Sequence, residues 1–200
     1  MFLSCLDLDP SPTRRLTRLW LANPYRIHQR LCLAFREPGR VLFRMEERPN
    51  LRLLVQSPTE PDWGAAFADH PVLSGPPRCK PFDPAVAVGR RLRFRLRANP
   101  TVKREGCRHA LVDEEDQHAW LIRKGEQGGF VPSTVAVRGG MMQVSSKGRH
   151  RGGDRQLHFA VEFEGLLRVV AADPFADAVR HGIGSGKAYG FGLLSLAPAP

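Results

Sequence analysis

The chain has 200 residues, of which 42% are hydrophobic, and its 30 basic and 20 acidic side chains give a net charge of +10. This length allows one large domain or two small ones, and the basic excess favours a polyanionic partner. No apolar run approaches the roughly 20 residues of a membrane span, and the N-terminus lacks a basic start, so we expect neither a membrane segment nor a signal peptide. The four cysteines are scattered without a CxxC pair, which gives no support to a zinc ribbon and fits a reducing cytoplasm.

The first half of the chain predicts a strand, a helix, two strands, a short helix and a strand. Asn23-Pro24 supplies a cap and a first-turn proline for the first helix, whose apolar stripe is Ile27, Leu31, Ala34 and Phe35. The strands are expected at residues 2–8, 41–45, 51–56 and 90–97, the short helix at 62–68, and an irregular Pro-rich connection at 70–89.

The second half repeats this order of elements. A short strand is expected at 109–112, helices at 113–124 and 174–180, and strands at 130–137, 157–170 and 191–196, the long one interrupted or not at Gly165. A β-α-β-β-α-β order in each half is the plan of the ferredoxin-like fold, which many RNA-recognition modules share. We therefore predict an α+β protein of two tandem ferredoxin-like (RRM-like) domains, residues 1–98 and 99–200.

A glycine-rich segment occupies residues 182–192, with five glycines and Lys187. It lies between a predicted helix and a following strand, which is the reverse of the order in a nucleotide-binding loop. Glycines without Cβ atoms permit a close approach of another backbone. Two interpretations remain open: tight packing of a helix-to-strand corner, or a loop against a phosphodiester backbone through Gly184, Gly186 and Lys187.

The strand at 91–97 alternates strictly between arginines and apolar residues. Like charges about 7 Å apart on one face repel each other, and a bound polyanion would relieve that repulsion. Acidic residues on the adjacent strands would relieve it equally well. The arginines concerned are Arg91, Arg93, Arg95 and Arg97.

A second basic segment covers residues 138–155 and contains a single acid, Asp154. It is typical of a hairpin or loop that becomes ordered on RNA, although a solvated loop has the same composition. Its candidate RNA contacts are Arg138, Lys147, Arg149 and Arg151.

Tyr25 and His28 stand three residues apart on the polar face of the first helix. Two titratable groups on one helix face can serve one reacting group, and histidine is matched to proton transfer near neutral pH. A plain surface histidine is the alternative. The acidic run at 113–116 is interpreted as helix-end charge, and a metal-dependent nuclease built on it is a further alternative.

Four segments taken together resemble the CasE family of CRISPR-associated endoribonucleases, which process pre-crRNA in type I-E Cascade complexes. In chain order they are ANPYRIH at 22–28, FRLRANPT at 94–101, HAWL at 118–121 and GIGSGKAYGFGLLSL at 182–196.

The resemblance implies two ferredoxin-like domains and a metal-independent cut at the 3′ base of a repeat stem-loop. In that chemistry the 2′-hydroxyl attacks the phosphorus, giving a 2′,3′-cyclic phosphate (or 3′-phosphate) and a 5′-hydroxyl. His28 corresponds to the general acid or base and Tyr25 to an assisting group, while Lys187, Arg26 or the glycine-loop amides are candidates for stabilising charge. The implied partners are CRISPR repeat RNA and the other Cascade subunits, with no cofactor, no metal and no membrane, in the cytoplasm. A non-catalytic subunit that only binds structured RNA is the alternative.

Overall fold

The computed structural model describes residues 1–9, 20–47, 49–146 and 155–199 of the chain. Within that part, the chain divides into two compact units, which we describe separately. The first unit comprises Met1–Asp83, Val144–Gln156 and Ala188–Gly190, and the second comprises Pro84–Gln143, Leu157–Lys187 and Phe191–Pro200.

The first unit contains an antiparallel sheet whose strand order is β2-β3-β1-β4. Numbered within the unit, this is the order 4-1-3-2 read from its other edge, and two helices connect the strands in the ferredoxin-like manner. The elements are β1 (Phe2–Asp7), α1 (Pro24–Cys32), β2 (Leu42–Glu46), β3 (Arg52–Ser57), α2 (Trp63–Phe67) and β4 (Arg78–Pro81).

Helix α1 begins where the sequence predicts it. The side chain of Asn23 accepts a hydrogen bond from the backbone N–H of Tyr25 (3.1 Å), and Pro24 occupies the first turn. Ile27 and Leu31 are fully buried against the sheet residues of the same core, and this burial fixes which face of the helix points outward. The polar face of α1 is thereby presented away from the core.

The second unit contains a sheet of order β10-β5-β9-β8, which is again 4-1-3-2. A separate hairpin, β6–β7, follows β5. The elements are β5 (Arg91–Ala98), β6 (Thr101–Arg104), β7 (Cys107–Ala110), α3 (Glu114–Gln127), β8 (Phe130–Ser146), β9 (Arg155–Val169), α4 (Ala172–His181) and β10 (Leu194–Pro198). The 3₁₀ turn Lys187–Tyr189 begins in this unit, and its last two residues belong to the first unit.

Aromatic side chains hold the helices of the second unit on its sheet. Trp120 of α3 stacks on Phe163 of β9 with centroids 5.9 Å apart, and Phe130 meets Phe175 of α4 edge to face at 6.0 Å. Each ring is 2% exposed or less, so the contacts exclude water.

The predicted fold class is confirmed, but the predicted division at residue 98/99 is wrong for the strand that precedes it. β5 pairs with β9 and β10, so it opens the second sheet and does not close the first. The strand that completes the first sheet is β4, which lies inside the stretch predicted to be irregular. Alternation of side chains identifies a strand but carries no information about its partners.

The basic segment at 138–155 is partly strand. β8 continues through Ser146, β9 begins at Arg155, and the two strands are neighbours in the sheet. β9 runs without interruption through Gly165, whose missing Cβ leaves room for the Thr134 carbonyl oxygen. The predicted RNA contacts Lys147, Arg149 and Arg151 lie outside the described residues.

Candidate active site

Tyr25, Arg26 and His28 lie on the outward face of α1 in the first unit. Tyr25 and His28 are half-buried, and Arg26 is exposed. The predicted pair is therefore accessible to a ligand while being supported from behind. Arg26 has the exposure expected of a phosphate contact.

The His28 ring lies among apolar and weakly polar groups. The ring of Phe43 on β2 stacks on it at a centroid distance of 6.3 Å and an interplanar angle of 15°. The Cys32 Sγ lies 3.8 Å from Nε2 and 4.0 Å from Nδ1. Burial, and secondarily the positive charge of Arg40, lower the pKa of His28 below its usual 6.5. The imidazole is consequently neutral near pH 7 and can accept a proton.

Cys32 is a neighbour of His28 that the sequence analysis did not single out. It stands one helical turn after His28, where i and i+4 side chains meet, so the spacing alone could have indicated the contact. Burial raises the pKa of its thiol above the usual 9.0. Cys32 therefore stays uncharged and adds no negative charge to the site.

Tyr189 and Gly190, from the glycine-rich segment, complete the surroundings of this pair within the first unit. The Tyr189 ring lies 5.7 Å from the Tyr25 ring. A Cβ on Gly190 would lie 3.2 Å from Cε2 of Phe43, the ring that stacks on His28. No spacing in the sequence indicates that Tyr189 lies beside Tyr25 or that Phe43 lies beside His28, so the sequence predicts neither contact.

The other predicted contacts of the glycine-rich segment lie in the second unit. Gly184 and Gly186 have φ values of 81° and 77°, and Cβ atoms there would lie 3.0 Å from Trp120 and 2.9 Å from Phe191. The Lys187 Nζ donates to the Gly184 carbonyl at 2.6 Å. These contacts favour the packing interpretation for the two glycines, because their neighbours already fill the space of a side chain.

The arginine strand β5 has the predicted alternation: Leu92, Phe94 and Leu96 are buried on one face. On the other face the register gives the arginines different partners, and Arg93 lies opposite Leu166. Arg95 pairs with Glu164, and Glu162 lies opposite Arg97. Arg91 instead lies opposite Arg168, an exposed residue that the sequence analysis did not single out.

The other predicted RNA contacts that lie in the second unit are Arg93, Arg97 and Arg138. Arg93 is exposed and its Nε donates to the Pro198 carbonyl at 3.3 Å. Arg97 lies over the Phe191 ring, 5.7 Å from its centroid. Arg138, on β8, is exposed.

The acidic run precedes and opens α3, as predicted. Glu114, Glu115 and Asp116 lie in its first turn, where carboxylates interact favourably with the helix dipole. Among the described residues, no three histidine, cysteine, aspartate or glutamate side chains form a group that could hold a metal ion.

Comparison with known proteins gives matches along nearly the whole chain. A family model described as CRISPR associated protein matches residues 1–198. The CRISPR-associated endoribonuclease Cse3 of Thermus thermophilus is 40% identical over 217 residues, covering 99% of this chain and 100% of that protein. The chain belongs to this CRISPR-associated protein family.

Other members of the family agree in sequence and in structure. The Cascade subunit CasE of Escherichia coli K12 is 32% identical over an alignment of 207 positions, which covers 92% of this chain and 96% of that protein. A structure of Cse3 bound to 19 nt RNA superposes with a TM-score of 0.86 at 38% identity, covering 99% of this chain and 100% of that one. Cas6e of E. coli K12 superposes with a TM-score of 0.72 at 30% identity, covering both chains fully.

These matches confirm the resemblance to CasE and the ferredoxin-like plan of each unit. None of the helices in the described part of this family member is long and apolar enough to cross a bilayer.

Proposed function

We propose that the chain is a CRISPR RNA-processing endoribonuclease that cuts the repeat stem-loop at its 3′ base without a metal ion. The products are a 2′,3′-cyclic phosphate (or 3′-phosphate) and a 5′-hydroxyl. The protein then retains the processed RNA as a subunit of a Cascade surveillance complex. The observation that carries this proposal is a half-buried, neutral His28 beside Tyr25 on one helix face, in a chain that aligns from end to end with a named endoribonuclease.

The chemistry that suits this pair is an internal transfer at phosphorus. His28 takes the proton of the 2′-hydroxyl as its oxygen attacks, the P–O5′ bond breaks, and the departing 5′ oxygen takes up a proton. Because the pKa of His28 is lowered, the ring is in its accepting form at neutral pH. Tyr25 either supplies the proton to the 5′ oxygen or orients the 2′-hydroxyl, in which case solvent water supplies that proton.

Charge on the phosphate oxygens requires a cation or an N–H donor. Arg26 is exposed on the same helix, which makes it a candidate within the first unit, although i, i+1 and i, i+2 side chains of a helix do not face each other. Lys187 is also a candidate, although its ammonium group already donates one hydrogen bond to Gly184. The backbone amides of the glycine-rich segment are the third candidate.

We assign binding of the RNA stem to exposed basic side chains. A-form RNA is recognised mainly through its phosphates and its shape. In the first unit, we assign the helix that carries Tyr25 and His28 as the catalytic element. In the second unit, we assign Arg91, Arg93 and Arg138 as phosphate contacts. Arg95 contributes less, because Glu164 already neutralises it.

The test is single-turnover cleavage of a repeat stem-loop RNA in EDTA. We expect wild-type protein to cut, and His28→Ala to lose about 10²–10⁴-fold in rate, the usual contribution of a general acid or base. His109→Ala, at an exposed histidine on β7, is the matched control and is expected to cut normally. A 2′-deoxy substitution at the scissile nucleotide should abolish cleavage.

The other outcomes separate the alternatives. Loss of activity in EDTA would indicate metal-dependent chemistry. Tight, salt-sensitive binding with no product at any pH would identify a non-catalytic RNA-binding subunit. Normal cleavage by His28→Ala would contradict the proposed mechanism.

A further inference from the structure

The two tyrosines of the chain lie side by side but differ in their exposure. The rings of Tyr25 and Tyr189 are 5.7 Å apart and inclined at 34°. Tyr25 is half-buried, whereas Tyr189 is 6% exposed and its hydroxyl oxygen is buried. Of the two, Tyr25 is therefore the one that can reach a bound RNA.

Tyr189 is held firmly at the end of a turn. It closes the 3₁₀ turn Lys187–Tyr189 and is followed by Gly190, whose φ of 84° suits glycine. Gly190 packs on the Phe43 ring, and Phe43 stacks on His28. One dipeptide thus supports the surroundings of both members of the proposed catalytic pair.

A tyrosine on an outward helix face exchanges between two χ1 rotamers unless something restrains it. The buried Tyr189 ring is the aromatic contact that the described residues give to Tyr25. An offset, tilted pair of rings is a favourable aromatic geometry, so the contact restricts the Tyr25 ring to the orientation seen here.

We propose that Tyr189 is a positioning residue that acts through Tyr25: its buried ring fixes the Tyr25 ring, and hence its hydroxyl, beside the scissile ribose. This inference rests on the proposed function. Because Tyr189 is buried, we assign it an effect through Tyr25, and the contact that transmits this effect is the one between the two rings.

The experiment is a double-mutant cycle in single-turnover cleavage of the repeat stem-loop. Tyr189→Leu removes the ring and is expected to slow cleavage about tenfold, since small misplacements of reacting groups have effects of this order or larger. Tyr189→Phe keeps the ring and should cleave within about twofold of wild type. In a Tyr25→Ala background, Tyr189→Leu should cause no further loss.

The matched control is Phe67→Leu, at another buried ring of the first unit, which contacts Trp20 and Trp63. It should lower thermal stability without changing the rate of the folded protein.

Equal rates for Tyr189→Leu and wild type would overturn the proposal, as would a full additional loss in the Tyr25→Ala background. A Tyr189→Phe variant as slow as Tyr189→Leu would overturn the role of the ring. If Tyr189→Leu fails to fold, Tyr189→Met provides the ring-free variant. Absence of cleavage by wild-type protein would instead refute the proposed function.

Discussion

His28 owes its neutral state to its immediate neighbours. Phe43 and Cys32 replace water around the ring, and Arg40 adds a positive charge that opposes protonation. The thiol is well suited to this place because burial raises its own pKa and keeps it uncharged. The weakly polar Cys32 side chain thus helps to keep the His28 ring neutral.

A change of Cys32 should therefore alter the titration of His28. Cys32→Ser places a hydroxyl beside the His28 ring, where it attracts water and accepts a hydrogen bond from the charged imidazole. We therefore expect the lowered pKa of His28 to rise toward 6.5. Titration of the His28 ring followed by NMR in the free protein measures it. Cys79→Ser, at an exposed thiol on β4, should leave the titration unchanged. A His28 pKa that stays constant or falls in Cys32→Ser would contradict this account.

Strand β5 shows how an element can carry two kinds of arginine on one face. Arg95 and Arg97 face Glu164 and Glu162 across the ladder, whereas Arg91 faces Arg168. Like charges directly opposite each other destabilise an antiparallel pair. The repulsion expected from the sequence is therefore relieved by acids at one end of the strand and left in place at the other.

This arrangement predicts a stabilising substitution. Arg168→Glu turns the like pair into an opposite pair and should raise the free energy of unfolding by about 0.2–1 kcal/mol. Chemical denaturation at low and high salt measures the gain, which salt should diminish because both side chains are exposed. Arg36→Glu, an equal change of charge at another exposed arginine, should not give the same gain.

The elements that the sequence predicted well are those with local signals. Asn23-Pro24 carries its own cap, and the alternation of β5 is visible in seven residues. The elements it missed depend on distant partners. β4 is a strand only because it pairs with β1, and β6 is a strand because it pairs with β7, near which the sequence did predict a short strand, at 109–112. The same limit applies to the site, since Tyr25 and His28 share one helix while Tyr189 reaches Tyr25 only through the fold.

At the scale of the whole molecule, salt acts on the net charge of +10, whereas acid acts on the buried and half-buried histidines. Salt weakens the attraction of the charged surface for a polyanion. Acid acts on the interior, because burial lowers the pKa values of His28, His70 and His158 below 6.5.

Stability should consequently fall in mild acid. A histidine whose folded pKa is lowered binds its proton more readily when unfolded, so its contribution is intact above pH 6.5 and is lost as the pH falls through the folded value. Urea denaturation between pH 7.5 and 5.5 should show a decreasing free energy of unfolding.

The control for this prediction compares a buried histidine with a buried ring that does not titrate. His158→Asn removes a buried ring that contacts Phe191 and should flatten the pH dependence, even if the protein becomes less stable throughout. Phe67→Leu removes a buried ring that carries no proton, and it should lower the stability without changing the slope. Equal slopes for wild type and His158→Asn would show that this ring does not cause the acid sensitivity.

The contact between Tyr25 and Tyr189 also has a consequence for biosynthesis. Ribosomes deliver α1 well before the 3₁₀ turn, so a growing chain carries Tyr25 long before the ring that packs on it exists. β5 must likewise wait for β10 before its edge is covered. Under the proposed function, a nascent chain therefore carries both proposed catalytic side chains before the Tyr25 ring is aligned, and RNA nearby meets the aligned pair only once the 3₁₀ turn has been made.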